Sequence, residues 1–422
     1  RDRPDPAATV EQRFVESAQR GPWIEREVSD PKGVDLADDE IGSNHVCRVY
    51  NPVMVTMTQR FPIPPGAIDE PLRMHLGGSP WSGTPESTYE VMRPGRGSRL
   101  ADVQAASASE VDLVVQAARA AAGEWGALAP RERARSVLAF ADAVEAAAGE
   151  LALLDAVNGG HPIRHTRMGA LKGADTLRYF AGIALEQGGR TIPATADHLH
   201  LTIREPYGVV GVITAYNHPT MFAAARTAAA LIAGNAVIVK PAEQTPLSAL
   251  RLAEIAAEHL PPGIWNAVPG RAETGRALVQ HPEVRRLNFT GSTATALRIQ
   301  ADAASSGTLK RLGFQLSGKN PLIVMPDASA EEASRAAVDG MNLYKVMGQS
   351  CGSTSIAYVP VSRLEAFAEA VAARLAELRP ADPEDETTEV GALVSAAHRD
   401  RVERLVDEAR GHGARVLAGG AR

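Results

Sequence analysis

The sequence is poor in cysteine and in aromatic side chains. Of 422 residues, two (Cys47 and Cys351) are cysteines and 5% are aromatic. Two thiols exclude a disulfide framework and a four-cysteine zinc site, and they fit a reducing, cytoplasmic setting. No His-x-x-x-His pair lies on a helical stretch, so no metal is expected. Asn44-His45-Val46-Cys47 puts a His and a Cys on one side of a strand, but two ligands do not make a site. Long apolar runs are missing too. None approaches the roughly 20 residues that span a bilayer, and the polar start, Arg1 to Pro6, does not read as a signal peptide. Basic blocks are absent, and the formal charge is −6. Neither nucleic acid nor a membrane surface is therefore expected as a partner.

What is present is an ordinary globular composition, 45% apolar and 22% charged, in a chain long enough for two or three domains. Residues 1–71 stand apart as an N-terminal extension, with an acidic stretch from Val34 to Glu40 and one or two strands between Val46 and Met57. Regular patterning starts near Leu72. Ser107 and Glu110 form a capping box for a helix to about Trp125. A second helix is expected from Pro130 to Val157, stopped at Asn158-Gly-Gly160, and a third from about His165 to Glu186. Leu199 to Arg204 alternates as an exposed strand.

The centre alternates strand and helix. Strands are predicted at 209–214, 236–239, 264–268, 286–289 and 312–316, and helices at 219–232, 246–259, 272–279 and 293–303. That order implies a parallel sheet covered on both faces, with ligands at the carboxyl ends of its strands. Beyond Lys319 a strand at 322–325, a helix capped by Ser329 and Glu332, and a helix opened by Ser362 and Glu365 to about Leu378 continue an α/β pattern. The sequence ends in mid-pattern after a further strand.

Four short segments invite chemistry. Cys351 sits in Gly348-Gln-Ser-Cys-Gly352, where flanking glycines open the backbone to a close approach, as a nucleophilic thiol needs. A buried structural cysteine fits that pattern equally. Asn217, between a strand and Pro219, suits an oxyanion donor or a helix cap. Lys240 and Glu243 close a strand and suit ribose hydroxyls or a solvated loop pair. Phe289-Thr-Gly-Ser-Thr293 offers a phosphate seat or a Ser/Thr cap. The usual Gly-x-Gly-x-x-Gly fingerprint is absent from this sheet.

Taken in series, these segments decide more than each does singly. Glu205 to Gly211, Tyr216 to Pro219, Ala233 to Ala236, Val239 to Pro246, Leu260 to Gly263, Phe289 to Thr293, Leu316 to Pro321 and Gly348 to Cys351 resemble, in order, the motifs of the aldehyde dehydrogenase superfamily. The resemblance runs from about Leu72 to the end. It implies a Rossmann-like NAD-binding domain at 72–318, with an oligomerisation hairpin at about 191–205, and an α/β catalytic domain at 319–422. It also implies an aldehyde substrate, NAD rather than NADP as cofactor, and a homodimer or homotetramer. By the same resemblance Cys351 is the nucleophile and Asn217, with the Cys351 N–H, the oxyanion hole. Thr214, Tyr216, Lys240, Glu243, Gly291 and Ser292 are the cofactor contacts, and Met221, Phe222 and Tyr344 line the pocket.

Two departures stand out. The family's Glu-Leu-Gly-Gly-Lys reads Gln315-Leu-Ser-Gly-Lys319, so a neutral amide replaces the expected general base. Three readings follow: a dehydrogenase with its base elsewhere, which is favoured; a CoA-acylating dehydrogenase; or a weakly active relative kept for binding or assembly. The family's later Glu-x-Phe-Gly-Pro motif and C-terminal strand do not occur in the sequence, which reads as a possible fragment.

Overall fold

The computed structural model describes residues 68, 70–83 and 85–421, all within one compact unit, Val55–Arg422. The His45–Cys47 pair and the strands expected between Val46 and Met57 lie outside the described residues.

The chain opens with two small antiparallel pairs, β1 (His75–Leu76) with β2 (Ser79–Pro80) and β3 (Thr88–Arg93) with β4 (Ser98–Gln104). Four helices follow: α1 (Ala108–Ala127), α2 (Pro130–Ala146), α3 (Ala148–Gly159) and α4 (Ile163–Gly182). The box predicted at Ser107 forms, with both reciprocal bonds to Glu110. The second expected helix, by contrast, is two. Ala147 (φ −85°, ψ 6°) caps both α2 and α3, and the small residues Ala146 to Gly149 let the axis turn there. The two halves then bury different faces: α2 inserts Val137, Phe140 and Val144, while α3 is buried at every residue from Leu151 to Gly159 except Leu153. Gly160, at φ 77°, ends α3 in the left-handed conformation that glycine adopts most easily. The third expected helix begins earlier, at Ile163, and stops at Gly182, leaving Ala184–Glu186 as a single 3₁₀ turn. The hairpin strands are short: β5 (Thr191–Ile192) pairs with β6 (His200–Leu201).

The core of the molecule is a five-stranded parallel sheet. Its elements in sequence are β7 (Val209–Ile213), α5 (Pro219–Ile232), β8 (Ala236–Lys240), α6 (Leu247–His259), β9 (Trp265–Ala267), α7 (Ala272–Gln280), β10 (Val284–Thr290), α8 (Thr293–Ser305) and β11 (Arg311–Gln315). The spatial order is β11-β10-β7-β8-β9, with every neighbouring pair parallel. Val209 to Val212 and Ala236 to Lys240 are continuously buried, because helices cover both faces. The chain winds outward from β7 to β9, then returns to β10 on the other side of β7. The topological switch therefore lies between β7 and β10, where open α/β sheets bind ligands.

A smaller layer follows: β12 (Asn320–Ile323), α9 (Ala330–Gly340), α10 (Leu343–Val346), β13 (Thr354–Tyr358), α11 (Leu364–Glu377) and α12 (Ala396–Gly411). β12 and β13 pair in parallel over a compact core of Val324, Ala333, Ala337 and Phe367. The box expected at Ser362 does not form. Pro360 leads into a 3₁₀ turn, Val361–Arg363, which takes Ser362 inside it and starts α11 at Leu364. The strand expected near Val416 is also absent among the described residues, and Val416 and Leu417 are exposed.

Candidate active site

The carboxyl ends of the central strands, and the turns after them, carry the residues that the sequence reading assigned to the cofactor. Register aligns them in one rank: Ile213 faces Lys240 on one side and Phe289 on the other, and Thr290 faces Gln315. Two backbone bonds extend that rank past the strands. Thr214 N donates to Lys240 O at 3.1 Å, and Gly291 N donates to Gln315 O at 3.1 Å. Thr214, Lys240, Gly291 and Gln315 are thus held on one rim, with Tyr216, Asn217, Glu243 and Ser292 in the turns just above it.

Each position has its own environment. Lys240 is buried, not a solvated loop residue, and its Nζ donates to Pro241 O at 2.9 Å. Burial pushes its ammonium down to about 8, with the Glu243 carboxylate opposing. Ser292 caps α8, its hydroxyl accepting from Thr295 N at 3.2 Å. A side chain on Gly291 would meet the Phe289 ring, because a Cβ there lies 2.4 Å from Cζ. Only a residue without Cβ fits this turn unshifted. The Tyr216 hydroxyl lies 3.3 Å from His398 Nε2 on α12, their rings edge to face at 5.5 Å. Burial raises the Tyr216 phenol and lowers the His398 imidazolium, so both are neutral near pH 7.

Asn217 is not the helix cap. His218 takes that position in α5, with no side-chain cap bond. The Asn217 side chain instead donates from Nδ2 to Gln349 O at 2.7 Å, two residues before Cys351. Gln349 in turn accepts at Oε1 from Val394 N at 3.1 Å. Beside Asn217, His218 is held neutral, its imidazolium lowered to about 4 by burial and then by Lys172.

Cys351 is exposed, so the buried structural reading of this thiol does not hold. Its loop is folded on itself, with Ser353 N donating to Ser350 O at 3.1 Å and Ser353 Oγ donating to Gly348 O at 3.3 Å. Asn320 ties the loop to β12, donating from Nδ2 to Cys351 O at 2.6 Å and to Ser353 O at 2.9 Å. Just upstream, Asn342 (φ 54°) and Met347 (φ 51°) adopt left-handed backbone, the two non-glycine residues that do so among the described residues. Such a conformation is costly for methionine and persists where the surroundings impose it.

Gln315 stands exposed at the end of β11, its amide making one long contact, 3.5 Å, to Leu316 O. Of the expected pocket residues, Phe222 is core, buried under the His218 ring and the Arg226 guanidinium. Met221 and Tyr344 are half-buried. Asn320 and His398 carry contacts that the sequence reading gave no role. Asn320 lies inside a quoted motif, which was its available signal, whereas nothing local marks His398. Among the described residues no group of three or more His, Cys, Asp or Glu side chains is placed to hold a metal, and no helix is long and apolar enough to cross a membrane.

Comparison with known proteins gives one consistent picture. A sequence model of the aldehyde dehydrogenase family matches residues 81–422. Aldehyde dehydrogenase tropH of Talaromyces stipitatus is 40% identical over 343 residues, covering 79% of this chain and 65% of the relative. The chain thus spans just under two thirds of that protein's length. The crystal structure of PnpE from Pseudomonas sp. WBC-3 superposes with a TM-score of 0.79 at 39% identity, over 83% of this chain and 72% of that one. The NAD+ complex of aldehyde dehydrogenase from Bacillus cereus gives 0.79 at 34% identity, over 84% and 72%.

Proposed function

The chain belongs to the aldehyde dehydrogenase family, and from that premise we propose that it oxidises an aldehyde to a carboxylic acid with NAD+ through a thioester on Cys351. One observation carries the reading: the Asn217 amide bonds to the Gln349 carbonyl, which ties a side-chain donor beside the central sheet to the loop that carries an exposed thiol. The amide nitrogen has two hydrogens. Gln349 takes one, and the other is left for an oxyanion.

The Cys351 thiolate adds to the aldehyde carbon, and the carbonyl oxygen becomes an alkoxide. Asn217 Nδ2 and the Cys351 N–H donate to that oxygen, a contact worth about 3 kcal/mol per donor in the transition state. NAD+ bound there would supply the hydride acceptor for this carbon, and the acyl group would then remain on the Cys351 sulfur. The residues present fit a dinucleotide. Lys240 offers a buried ammonium and Glu243 a carboxylate for ribose hydroxyls, and that carboxylate opposes the extra 2′-phosphate of NADP. Ser292 and the free N–H groups at the start of α8 suit a pyrophosphate, and Gly291 leaves it room. Thr214 and Tyr216, in the turn after β7, would complete the contacts to the cofactor.

Water then attacks the thioester, giving the acid and free thiol. Gln315 orients this water, and because it is exposed, the proton leaves to solvent. The neutral amide at 315 also favours a second reading, in which the thiol of CoA takes the acyl group and needs little base help. Exposed Leu199 and Ile203 on the hairpin suit pairing with another copy of the chain.

The test is NADH formation across a panel of aldehydes, with and without CoA. Turnover that is lost in Cys351→Ala and indifferent to CoA is expected. A sharp rise with CoA, yielding a thioester, selects the second reading. No NADH from any aldehyde defeats both.

A further inference from the structure

Helices α5 and α6 follow the two turns that carry the proposed oxyanion donor and the proposed ribose contacts. Neither has a side-chain cap of its own. The cap position of α5 is His218, and that of α6 is Pro246. Proline also removes an early donor from each: Pro219 is the first residue of α5, and Pro246 precedes the first residue of α6. The next free N–H groups, on Thr220 and Leu247, are both met by one helix from elsewhere. Asp155 Oδ2 accepts from Thr220 N at 3.2 Å, and Asn158 Oδ1 accepts from Leu247 N at 3.4 Å. Asn158 reaches further, donating from Nδ2 to Gln244 O at 2.7 Å, next to Glu243.

Both side chains are nearly fully buried on α3, three residues apart and so on one face. Burial pushes the Asp155 carboxyl up to about 6, and the hydrogen bond that opposes this comes from the Thr220 N–H, since the Ser248 and Thr220 hydroxyls have no hydrogen-bond partner among the described residues. At neutral pH it is still mostly ionised, and its charge faces the positive end of α5. The α3 helix is itself anchored, since Thr166 Oγ1 donates to Ala152 O at 2.8 Å.

We infer that Asp155 and Asn158 are positioning residues for the reaction proposed above: Asp155 fixes the turn that carries Asn217, and Asn158 fixes the turn that carries Glu243. The proposal rests on that reaction, and it divides labour along one helix. Asp155 acts on the acyl-transfer side, Asn158 on the cofactor side.

The test measures kcat at saturating NAD+ and, separately, the NAD+ dissociation constant, on the whole chain. Asp155→Ala should lower kcat about 10- to 100-fold, the cost of a misplaced catalytic group, with NAD+ affinity within about twofold of wild type. Asn158→Ala should weaken NAD+ about tenfold while kcat stays within about twofold. Asp155→Asn keeps an acceptor for Thr220 N and should restore most of kcat. If the alanine variants precipitate, Asp155→Ser and Asn158→Ser, polar but too short to reach, take their place. Equal losses of kcat and affinity in both variants, or an Asp155→Asn as damaged as Asp155→Ala, would overturn the inference while wild-type turnover stands. A wild type without turnover removes the reaction and the inference with it.

Discussion

If Lys240 holds the cofactor as proposed, NAD+ binding should depend on pH in a direction that follows from the burial of its ammonium. Burial brings its ammonium down from 10.5 to about 8. By that value it is about nine-tenths charged at pH 7 and about one-tenth at pH 9. If only the ammonium donates to the ribose, the NAD+ dissociation constant rises about tenfold over those two pH units. A charged hydrogen bond is worth about 1.5–3 kcal/mol, enough to support a change of that size. The stability of the free chain runs the other way. The unfolded chain holds this proton up to 10.5 and the folded chain only to about 8. Stability therefore rises with pH through that window, and about 3 kcal/mol is lost as pH falls from 10.5 to about 8. The assay is NAD+ titration by calorimetry between pH 7 and 9 at constant ionic strength, alongside Lys240→Met. The variant should bind weakly at every pH with a flat profile, and it should melt higher than wild type at pH 7. A wild-type profile without slope, or the same slope in Lys240→Met, refutes the reasoning.

Three further substitutions probe the rest of the rim. Asn217→Ala removes the side-chain donor and should cut kcat about 10²- to 10³-fold with little change in NAD+ affinity; stopped-flow NADH formation reads this, and an unchanged rate removes Asn217 from the oxyanion hole. Gln315→Glu supplies a carboxylate where the chain has an amide, and it should speed thioester hydrolysis by up to about 10²- to 10⁴-fold. Single-turnover release of the acid measures it, and an unaltered rate means water is activated from another position. Gly291→Ala forces a methyl against the Phe289 ring, 2.4 Å from Cζ. Overpacking of this kind costs about 1–3 kcal/mol, so both melting temperature and NAD+ affinity should fall, and retention of both would show that the turn yields freely.

How much of this was written locally in the sequence differs from part to part, for a physical reason. The central strands and helices lie within about two residues of their expected bounds, because buried apolar runs and Gly or Pro breaks are local signals. Ser292 also read correctly as a cap, since the hydroxyl and the N–H it accepts from are three residues apart. Where the partner is distant, the local pattern gave two answers or none. Asn217 on its local pattern looked more like a helix cap than an oxyanion donor, yet His218 takes the cap and the partner of Asn217, Gln349, is 132 positions away. Lys240 fitted a ribose contact and a solvated loop residue equally well, and the fold buries it. The turn at Ala147 and the left-handed Met347 fall on residues that do not themselves favour such backbone, and the glycines beside them, Gly149 and Gly348, did not fix their positions in the sequence reading. The bonds from Asp155 and Asn158 span 65 and 89 positions. Prolines 219 and 246 mark where α5 and α6 start, yet by removing an N–H they also leave those starts dependent on a third helix. The side chains of the proposed site were thus readable as a set of types at spacings. Their alignment depends on buried contacts made between segments that the sequence keeps far apart, so errors of alignment should arise from substitutions in α3 that touch neither aldehyde nor cofactor.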